Sequence, residues 1–167
     1  IKNFKTNGYT LDDFYRFHIM AKNERSKLFL AICEQCYHEY TKRLKEKNAI
    51  DFEDMINDSA RILREEEIKG RKLDFKYIIV DEYQDISRQR FNLTKELSKL
   101  CNAKIIAVGD DWQSIYAYAG SDITLFTNFK ETFGYGLELR ITKTYRNAQE
   151  VIDIAGGFIQ KNTSQIR

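Results

Sequence analysis

Hydrophobic residues recur with a helical period through the first 70 residues of the chain. The spacing predicts three helices, at residues 11–20, 24–47 and 51–69. An acidic residue three positions after Thr10, and another three positions after Asp51, are typical of helix starts, and Gly70 is typical of a helix end. Because residues 1–48 contain no strand pattern, we predict that this segment is all-helical.

From residue 51 onward, short apolar runs alternate with helices. The runs predict strands at 76–80, 103–108 and 137–141, with helices at about 87–100 and 123–131 between them. We expect Asn147 to cap a last helix, whose apolar face carries Val151, Ile154, Ala155 and Phe158. Strands that alternate with helices are typical of a parallel sheet with helices on its faces. The predicted fold class is therefore α/β, with residues 49–167 as the sheet domain.

Polar residues follow the first two predicted strands at the points where those strands end. Asp81 and Glu82 come directly after the first strand, and residues 109–111 (Gly-Asp-Asp) follow the second. Because α/β sheets bind ligands at the carboxyl ends of their strands, we expect one site there. Two adjacent acids suit a metal-bound phosphate, although the pair alone is also typical of an ordinary polar turn. The flanking Gln84 and Asp85, together with the polar residues of the second loop, favour a ligand site over an ordinary polar turn.

Composition restricts the class of protein. With 167 residues and 43% hydrophobic content, the chain is large enough for one folded domain. The net charge of +2 gives no global basic field, so any contact with nucleic acid must be local. Three cysteines suit a reducing compartment, and no apolar run approaches transmembrane length, so we expect a cytoplasmic protein with no membrane partner. The chain starts at Ile1 rather than Met, and we expect a longer parent protein.

Four segments resemble the motifs of one family, the UvrD/Rep-like superfamily 1 DNA helicases. Residues 81–85 (Asp-Glu-Tyr-Gln-Asp) resemble motif II, and residues 108–116 (Val-Gly-Asp-Asp-Trp-Gln-Ser-Ile-Tyr) resemble motif III. Residues 144–147 (Thr-Tyr-Arg-Asn) resemble motif IV, and residues 50–56 resemble the segment that re-enters the first motor domain after a helical insertion. The resemblance covers about residues 36–162. Within the family, the segments 110–113 and 158–162 look most like the helicase IV branch.

This resemblance implies a fold. The chain would contain part of a three-layer P-loop NTPase-type domain, the first motor domain, and residues 1–48 would be the end of an inserted helical subdomain. No Gly-x-x-x-x-Gly-Lys-Ser/Thr segment occurs in the chain, so the phosphate-binding loop is missing. We therefore expect the isolated chain to be inactive as an ATP hydrolase.

The resemblance also implies ATP and Mg²⁺ as cofactors and gives a role to each matching residue. Asp81 and Glu82 would hold Mg²⁺, and Glu82 would also be the general base for hydrolysis. Gln113 would sense the γ-phosphate, Tyr145 would stack on the adenine, and Arg146 would act as an arginine finger. Packing of Tyr145 in the core, or pairing of Arg146 with a nearby acid, remains an alternative for these two residues.

Tyr116 and Tyr118 would stack on the bases of single-stranded DNA, as the resemblance implies. Aromatic stacking suits sequence-independent binding, because every base has a π-face. One of the two rings could instead pack inward. Many relatives carry an arginine at or just beyond this point, whereas the run here is Tyr-Ala-Tyr-Ala-Gly. One contact to DNA is therefore absent, and the sequence does not distinguish a DNA track from an RNA track.

The implied activity of the parent protein is that of an ATP-dependent 3′ to 5′ DNA helicase, which couples ATP hydrolysis to translocation on single-stranded DNA. One alternative is the motor part of a helicase–nuclease recombination subunit, which a nuclease domain beyond Arg167 would favour. Another is a scaffold that binds nucleotide and DNA without turnover, which a missing phosphate-loop lysine in the parent would favour. The sequence leaves the oligomeric state open.

Overall fold

A computed structural model of the chain, in which residues 1–161 are described, is α-rich and contains a two-stranded parallel sheet, consistent with the predicted α/β class. The strands are β1 (Tyr77–Val80) and β2 (Lys104–Ala107). The helices are α1 (Lys2–Thr6), α2 (Leu11–Met20), α3 (Glu24–Glu46), α4 (Phe52–Ile68), α5 (Arg88–Cys101), α6 (Thr124–Thr127), α7 (Phe129–Phe133) and α8 (Gln149–Ile159). Short 3-10 turns lie at Tyr83–Asp85, Asp111–Gln113 and Ala117–Ala119.

The chain divides into two compact units. Unit 1 contains residues 1–80 and 87–106, and unit 2 contains residues 81–86 and those from 107 onward. The predicted boundary between residues 48 and 49 stays a prediction. Asn162, the last residue of the segment that resembles the helicase IV branch, lies outside the described residues. Within residues 1–161, no helix combines the length and the apolar character needed to span a membrane.

The helix caps predicted in unit 1 are confirmed. The Asp51 side chain accepts a hydrogen bond from the Asp54 N–H at 2.8 Å, and the Asp13 side chain accepts one from the Thr10 N–H at 2.6 Å. These bonds satisfy N–H groups that have no partner within the first turn of a helix. Gly70, which follows α4, has a φ of +74°, a left-handed conformation that glycine adopts without strain. α1 was not predicted, because five residues are too few to establish a period.

The core of unit 1 lies between α4 and α5. α4 packs against α5, and Ala60, Phe91 and Leu100 are buried. Glu96 of α5 is also buried, and its carboxylate accepts a hydrogen bond from Arg64 of α4 at 3.2 Å. A buried charge is tolerated when it is paired in this way, so the ion pair joins two helices that are distant in sequence.

Lys5 of α1 is a second buried charge in unit 1. The residue is 1% exposed, and its Nζ lies 2.7 Å from a carboxylate oxygen of Asp51 and 2.7 Å from one of Asp54. Burial opposes the charged amine, but the hydrogen bonds to the two carboxylates outweigh it and raise the pKa of Lys5. Burial also opposes the charged form of Asp51, yet the hydrogen bonds from Lys5, the Asp54 N–H and Tyr40 lower the pKa of Asp51. Ion pairs therefore anchor the start of α4 to α1.

We expect Lys5→Met to destabilise the contact between α1 and α4 by about 3 kcal/mol, the lower end of the range for removing one partner of a buried ion pair. Local opening of α4, measured by amide hydrogen exchange in the parent protein, should become roughly 100-fold more frequent. Lys27→Met is the matched control, because Lys27 pairs with Glu24 on an exposed helix face at 2.9 Å. The control should change stability by less than about 0.5 kcal/mol. Equal exchange in the two variants would contradict the anchoring role.

The same ion pairs determine how the stability of the contact between α1 and α4 depends on pH. The pKa of Asp51 is lowered from 3.8. The contribution of Asp51 to the stability of this contact is therefore present above that value and is lost as the pH falls through the folded-state pKa. The pKa of Lys5 is raised from 10.5, so its contribution is present below that value and is lost as the pH rises through the folded-state pKa. Protection of α4 in the wild type should therefore be greatest between about pH 4 and pH 10.

In unit 2, one predicted strand is wrong, the last helix is present but begins after a different capping residue, and another predicted helix is interrupted. Residues 137–141 form no strand, because no neighbouring strand in the described part of the chain supplies the backbone hydrogen bonds that an alternating pattern needs. The last helix is capped by Ala148 rather than Asn147, since the Ala148 carbonyl accepts the first helical hydrogen bond, from Ile152 at 3.2 Å. The predicted helix at 123–131 is two short helices, α6 and α7, which are separated by Asn128.

Candidate functional site

The candidate site lies in unit 2 and begins with a tight turn directly after β1. Glu82 has φ 50° and ψ 42°, the left-handed conformation that is uncommon for a residue other than glycine. The Glu82 N–H donates to the Asp81 carboxylate at 2.9 Å, and both acidic side chains are exposed. Backbone conformations of this kind cost about 1–3 kcal/mol and persist only where the surrounding structure holds them. The turn thus presents two adjacent carboxylates to solvent.

Tyr83 holds this turn in the core of unit 2. Its ring is fully buried and lies 6.1 Å from the ring of Phe126 and 5.7 Å from that of Phe129. Its N–H donates to the Val108 carbonyl at 2.9 Å, which joins the first loop to the second. Burial raises the pKa of Tyr83 to about 12. The hydroxyl has no hydrogen-bond partner among the described residues, so Tyr83 serves the site by packing.

Gln84 links the two loops through its side chain. The residue is 1% exposed, its Nε2 donates to the Glu82 carboxylate at 2.7 Å, and its Oε1 accepts from the Asp110 N–H at 3.1 Å. At Gly109, an added β-carbon would lie 2.6 Å from Gln84 Oε1, so a larger residue there would displace the amide. The sequence indicated Gln84 only as a residue that supports the acid pair. It did not predict the hydrogen bond between Gln84 and Asp110.

Asp110 extends the contact to Gln113. One Asp110 carboxylate oxygen accepts from the Trp112 N–H at 3.1 Å, and the other accepts from Gln113 Nε2 at 2.8 Å. A continuous series of hydrogen bonds therefore runs from Glu82 through Gln84 and Asp110 to Gln113. We call this series the amide link. It connects two residues that the sequence predicted for the site, which are separated by 31 positions in the chain.

The two tyrosines predicted to contact DNA follow Gln113 in the same loop. Tyr118 is 78% exposed, Tyr116 is also exposed, and the centroids of their rings are 6.0 Å apart. Within the described residues neither ring packs inward, contrary to the alternative considered from the sequence. The pair offers two neighbouring aromatic surfaces to solvent.

Tyr145 and Arg146 lie apart from the amide link in the described structure. Tyr145 is 92% exposed, so it does not pack in a core formed by residues 1–161. Arg146 is also exposed, and no acidic side chain of the described residues lies within 4.0 Å of it. No described contact joins either residue to Glu82 or Gln113. The helix that follows them, α8, lies close to the loop that contains Gln113. A β-carbon added at the buried Gly156 of α8 would lie 3.4 Å from the Trp112 ring.

The acids of the turn fit one mode of metal binding. No group of three or more His, Cys, Asp or Glu side chains that could hold a metal ion occurs within residues 1–161. Mg²⁺ is usually bound through one or two carboxylates, water and substrate phosphates rather than by a protein cage. The adjacent, exposed Asp81 and Glu82 suit that mode. Nearby, burial raises the pKa of the Asp85 carboxyl and the charge of Glu82 adds to the effect.

Comparison with known sequences defines the class of protein. The UvrD/REP helicase N-terminal domain family matches residues 1–134, and the chain belongs to this family. The family predicted from the four motifs is therefore confirmed.

Individual relatives agree with this assignment. DNA helicase IV of Escherichia coli (strain K12) is 41% identical over 126 residues, which cover 74% of this chain and 18% of the helicase. ATP-dependent DNA helicase PcrA of Bacillus subtilis (strain 168) is 29% identical over 136 residues, which cover 80% of this chain and 18% of PcrA. PcrA of Staphylococcus epidermidis is 27% identical over 167 residues, which cover 99% of this chain and 22% of that protein. The chain thus spans about a fifth of the length of the curated relatives it matches.

Proposed function

We propose that this chain is part of the first motor domain of an ATP-dependent DNA helicase, with a P-loop NTPase-type fold, that moves 3′ to 5′ along single-stranded DNA. The observation that carries the proposal is the amide link, because it joins the acids of the first loop to the loop that bears the exposed tyrosines. The relatives named above, which are described as DNA helicases, support the same activity. The described cysteines are free, which suits a reducing cytoplasm as the place of action.

The first part of the proposal concerns the nucleotide. Asp81 and Glu82 would hold Mg²⁺, and the ion would supply positive charge to neutralise the charge that develops on the phosphates of ATP. Glu82 takes the proton of the attacking water, a task for which its carboxylate is accessible to solvent. Gln113 senses the γ-phosphate, Tyr145 stacks on the adenine, and Arg146 stabilises the charge of the transferring group. The exposure of Tyr145 and Arg146 supports these roles, because both side chains are available to a ligand.

The second part concerns the DNA. Tyr116 and Tyr118 stack on successive bases of a single strand, and their exposed, neighbouring rings support this role. The net charge of the chain is only +2, and the run from Tyr116 to Gly120 contains no basic residue. Stacking rather than phosphate contact is therefore the main interaction that this loop contributes.

We expect Tyr118→Ala to weaken binding of single-stranded DNA by about 1–3 kcal/mol, the usual value of one base–aromatic stack. In the parent protein, the DNA concentration that gives half-maximal stimulation of ATP hydrolysis should rise by about 5- to 150-fold. Hydrolysis without DNA should change little, because the ring does not contact phosphate. DNA titrations of phosphate release at one salt concentration provide the measurement.

Tyr15→Ala is the matched control for this experiment. Tyr15 is an exposed tyrosine on α2 to which we assign no DNA contact, so its removal should leave the titration unchanged. If Tyr118→Ala also left the titration unchanged, the loop would not be the DNA contact. A parent protein that hydrolyses ATP equally with and without DNA would contradict the proposed function itself.

A further inference from the structure

We propose that Gln84 is a positioning residue, which orients the Glu82 carboxylate and couples it to the loop that contacts DNA. This inference rests on the proposed function, since it assigns Gln84 to the same site. It adds a residue that touches neither nucleotide nor DNA and acts through Glu82 and Asp110.

The chemistry of the side chain fixes its orientation. An amide has one donor end and one acceptor end, and Gln84 uses the donor toward Glu82 and the acceptor toward the Asp110 N–H. The reversed orientation would place an NH₂ group against an N–H and a carbonyl oxygen against a carboxylate. Because the residue is 1% exposed, water does not compensate for such mismatches. The amide therefore has one favourable orientation between these two partners.

This fixed amide gives the Glu82 side chain a defined position. Glu82 is exposed, so its carboxylate would otherwise sample several rotamers in solvent. Gln84 holds Oε2 of that carboxylate at 2.7 Å, and Oε1, which accepts no hydrogen bond within residues 1–161, is left for a water molecule. A general base acts only when it lies within hydrogen-bond reach of the proton that it accepts. Gln84 thus restricts Glu82 to a geometry that can be productive.

The other end of the amide connects this position to the second loop. Asp110 is bonded to Gln84 through its N–H and to Gln113 and Trp112 through its carboxylate. The close approach of Gly109 to Gln84 Oε1 leaves little room for the loop to shift without moving the amide. A movement of the loop when DNA binds at Tyr118 therefore changes the position of Glu82 through one side chain.

The test is Gln84→Met in the parent protein, which keeps the volume but removes both hydrogen bonds. Loss of a residue that orients a reacting group typically costs about 10- to 100-fold in activity. We expect kcat at saturating single-stranded DNA to fall by that amount, with a smaller fall in the rate without DNA. The ratio of the two rates should therefore decrease. The KM for ATP and the affinity for DNA should change by less than about 3-fold, because Gln84 contacts neither ligand.

Gln89→Met is the matched control. Gln89 is a buried glutamine, 3% exposed, in α5 of unit 1, and its Oε1 has no hydrogen-bond partner among the described residues. This variant should keep the wild-type ratio between the rates with and without DNA. An equal loss in both variants would mean that Gln84 only fills space, and it would overturn the inference.

The outcomes separate this inference from the proposed function. If the wild-type parent shows DNA-stimulated hydrolysis and Gln84→Met keeps the wild-type ratio, the inference is overturned and the proposed function stands. If the wild-type parent shows no DNA-stimulated hydrolysis, both are overturned. A lower ratio in Gln84→Met, together with the wild-type ratio in Gln89→Met and little change in the KM for ATP, is the result we expect.

Discussion

In the parent protein, Glu82→Gln is expected to abolish ATP hydrolysis and to leave nucleotide binding nearly intact. The amide keeps the shape of the carboxylate, including an oxygen that can accept the hydrogen bond from Gln84, but it cannot take a proton. A positioned acid or base typically contributes about 10²–10⁴-fold to the rate. Steady-state phosphate release at saturating DNA and a nucleotide titration of the same samples give the two quantities.

Glu131→Gln makes the same chemical change at an exposed glutamate of α7 and should leave turnover unchanged. The general-base role of Glu82 would be wrong if Glu82→Gln retained more than about a tenth of wild-type turnover, because loss of a positioned base should lower the rate by at least about 100-fold. Full loss of hydrolysis with retained binding would also argue against the scaffold alternative, since a scaffold has no turnover to lose.

Arg146→Ala is expected to have the other large effect. An arginine finger stabilises charge that develops on the γ-phosphoryl group in the transition state, so its loss lowers kcat far more than it raises the KM for ATP. Related fingers contribute about 10³–10⁵-fold. Arg146→Lys keeps the charge but loses the planar fork of donors, so it should also be severely impaired. Steady-state hydrolysis at saturating DNA separates kcat from KM for each variant.

A nearby arginine offers the control for this prediction. Arg140 precedes Arg146 in the same segment between α7 and α8, which forms neither helix nor strand, and its Nε donates to the Glu138 carboxylate at 2.8 Å. Because that contact lies on the surface, Arg140→Ala should change turnover little. An Arg146→Ala variant that alters only KM, or neither parameter, would show that Arg146 is structural.

Local features of the fold were predictable from the sequence because they depend on residues close together in the chain. The cap formed by Asp51 and Asp54 spans three positions, and β1 lies within one residue of the predicted strand. The acid pair after β1 was predictable for the same reason, since strand ends are visible as changes from apolar to polar residues. The family was predictable from the order of four short motifs. The roles assigned to the site residues stay predictions.

Features that depend on distant partners were not predictable. Nothing in the sequence indicates that Lys5 is buried, because its carboxylate partners lie more than 45 positions away. The contact between Gln84 and Asp110 spans 26 positions and depends on the absence of a side chain at Gly109. The strand predicted at 137–141 is wrong for a related reason. Its alternation is present in the sequence, but a strand also needs a neighbour, which the pattern of one segment cannot supply.

Strand displacement by the parent protein tests the account most directly. The substrates are two DNA duplexes of equal length, one with a 3′ single-stranded tail and one with a 5′ tail. With ATP and Mg²⁺, the account predicts release of the strand from the 3′-tailed duplex only, and no release with a nucleotide analogue that cannot be hydrolysed or with the Glu82→Gln variant. Release from the 5′-tailed duplex alone, release without hydrolysis, or no release from either duplex would contradict it.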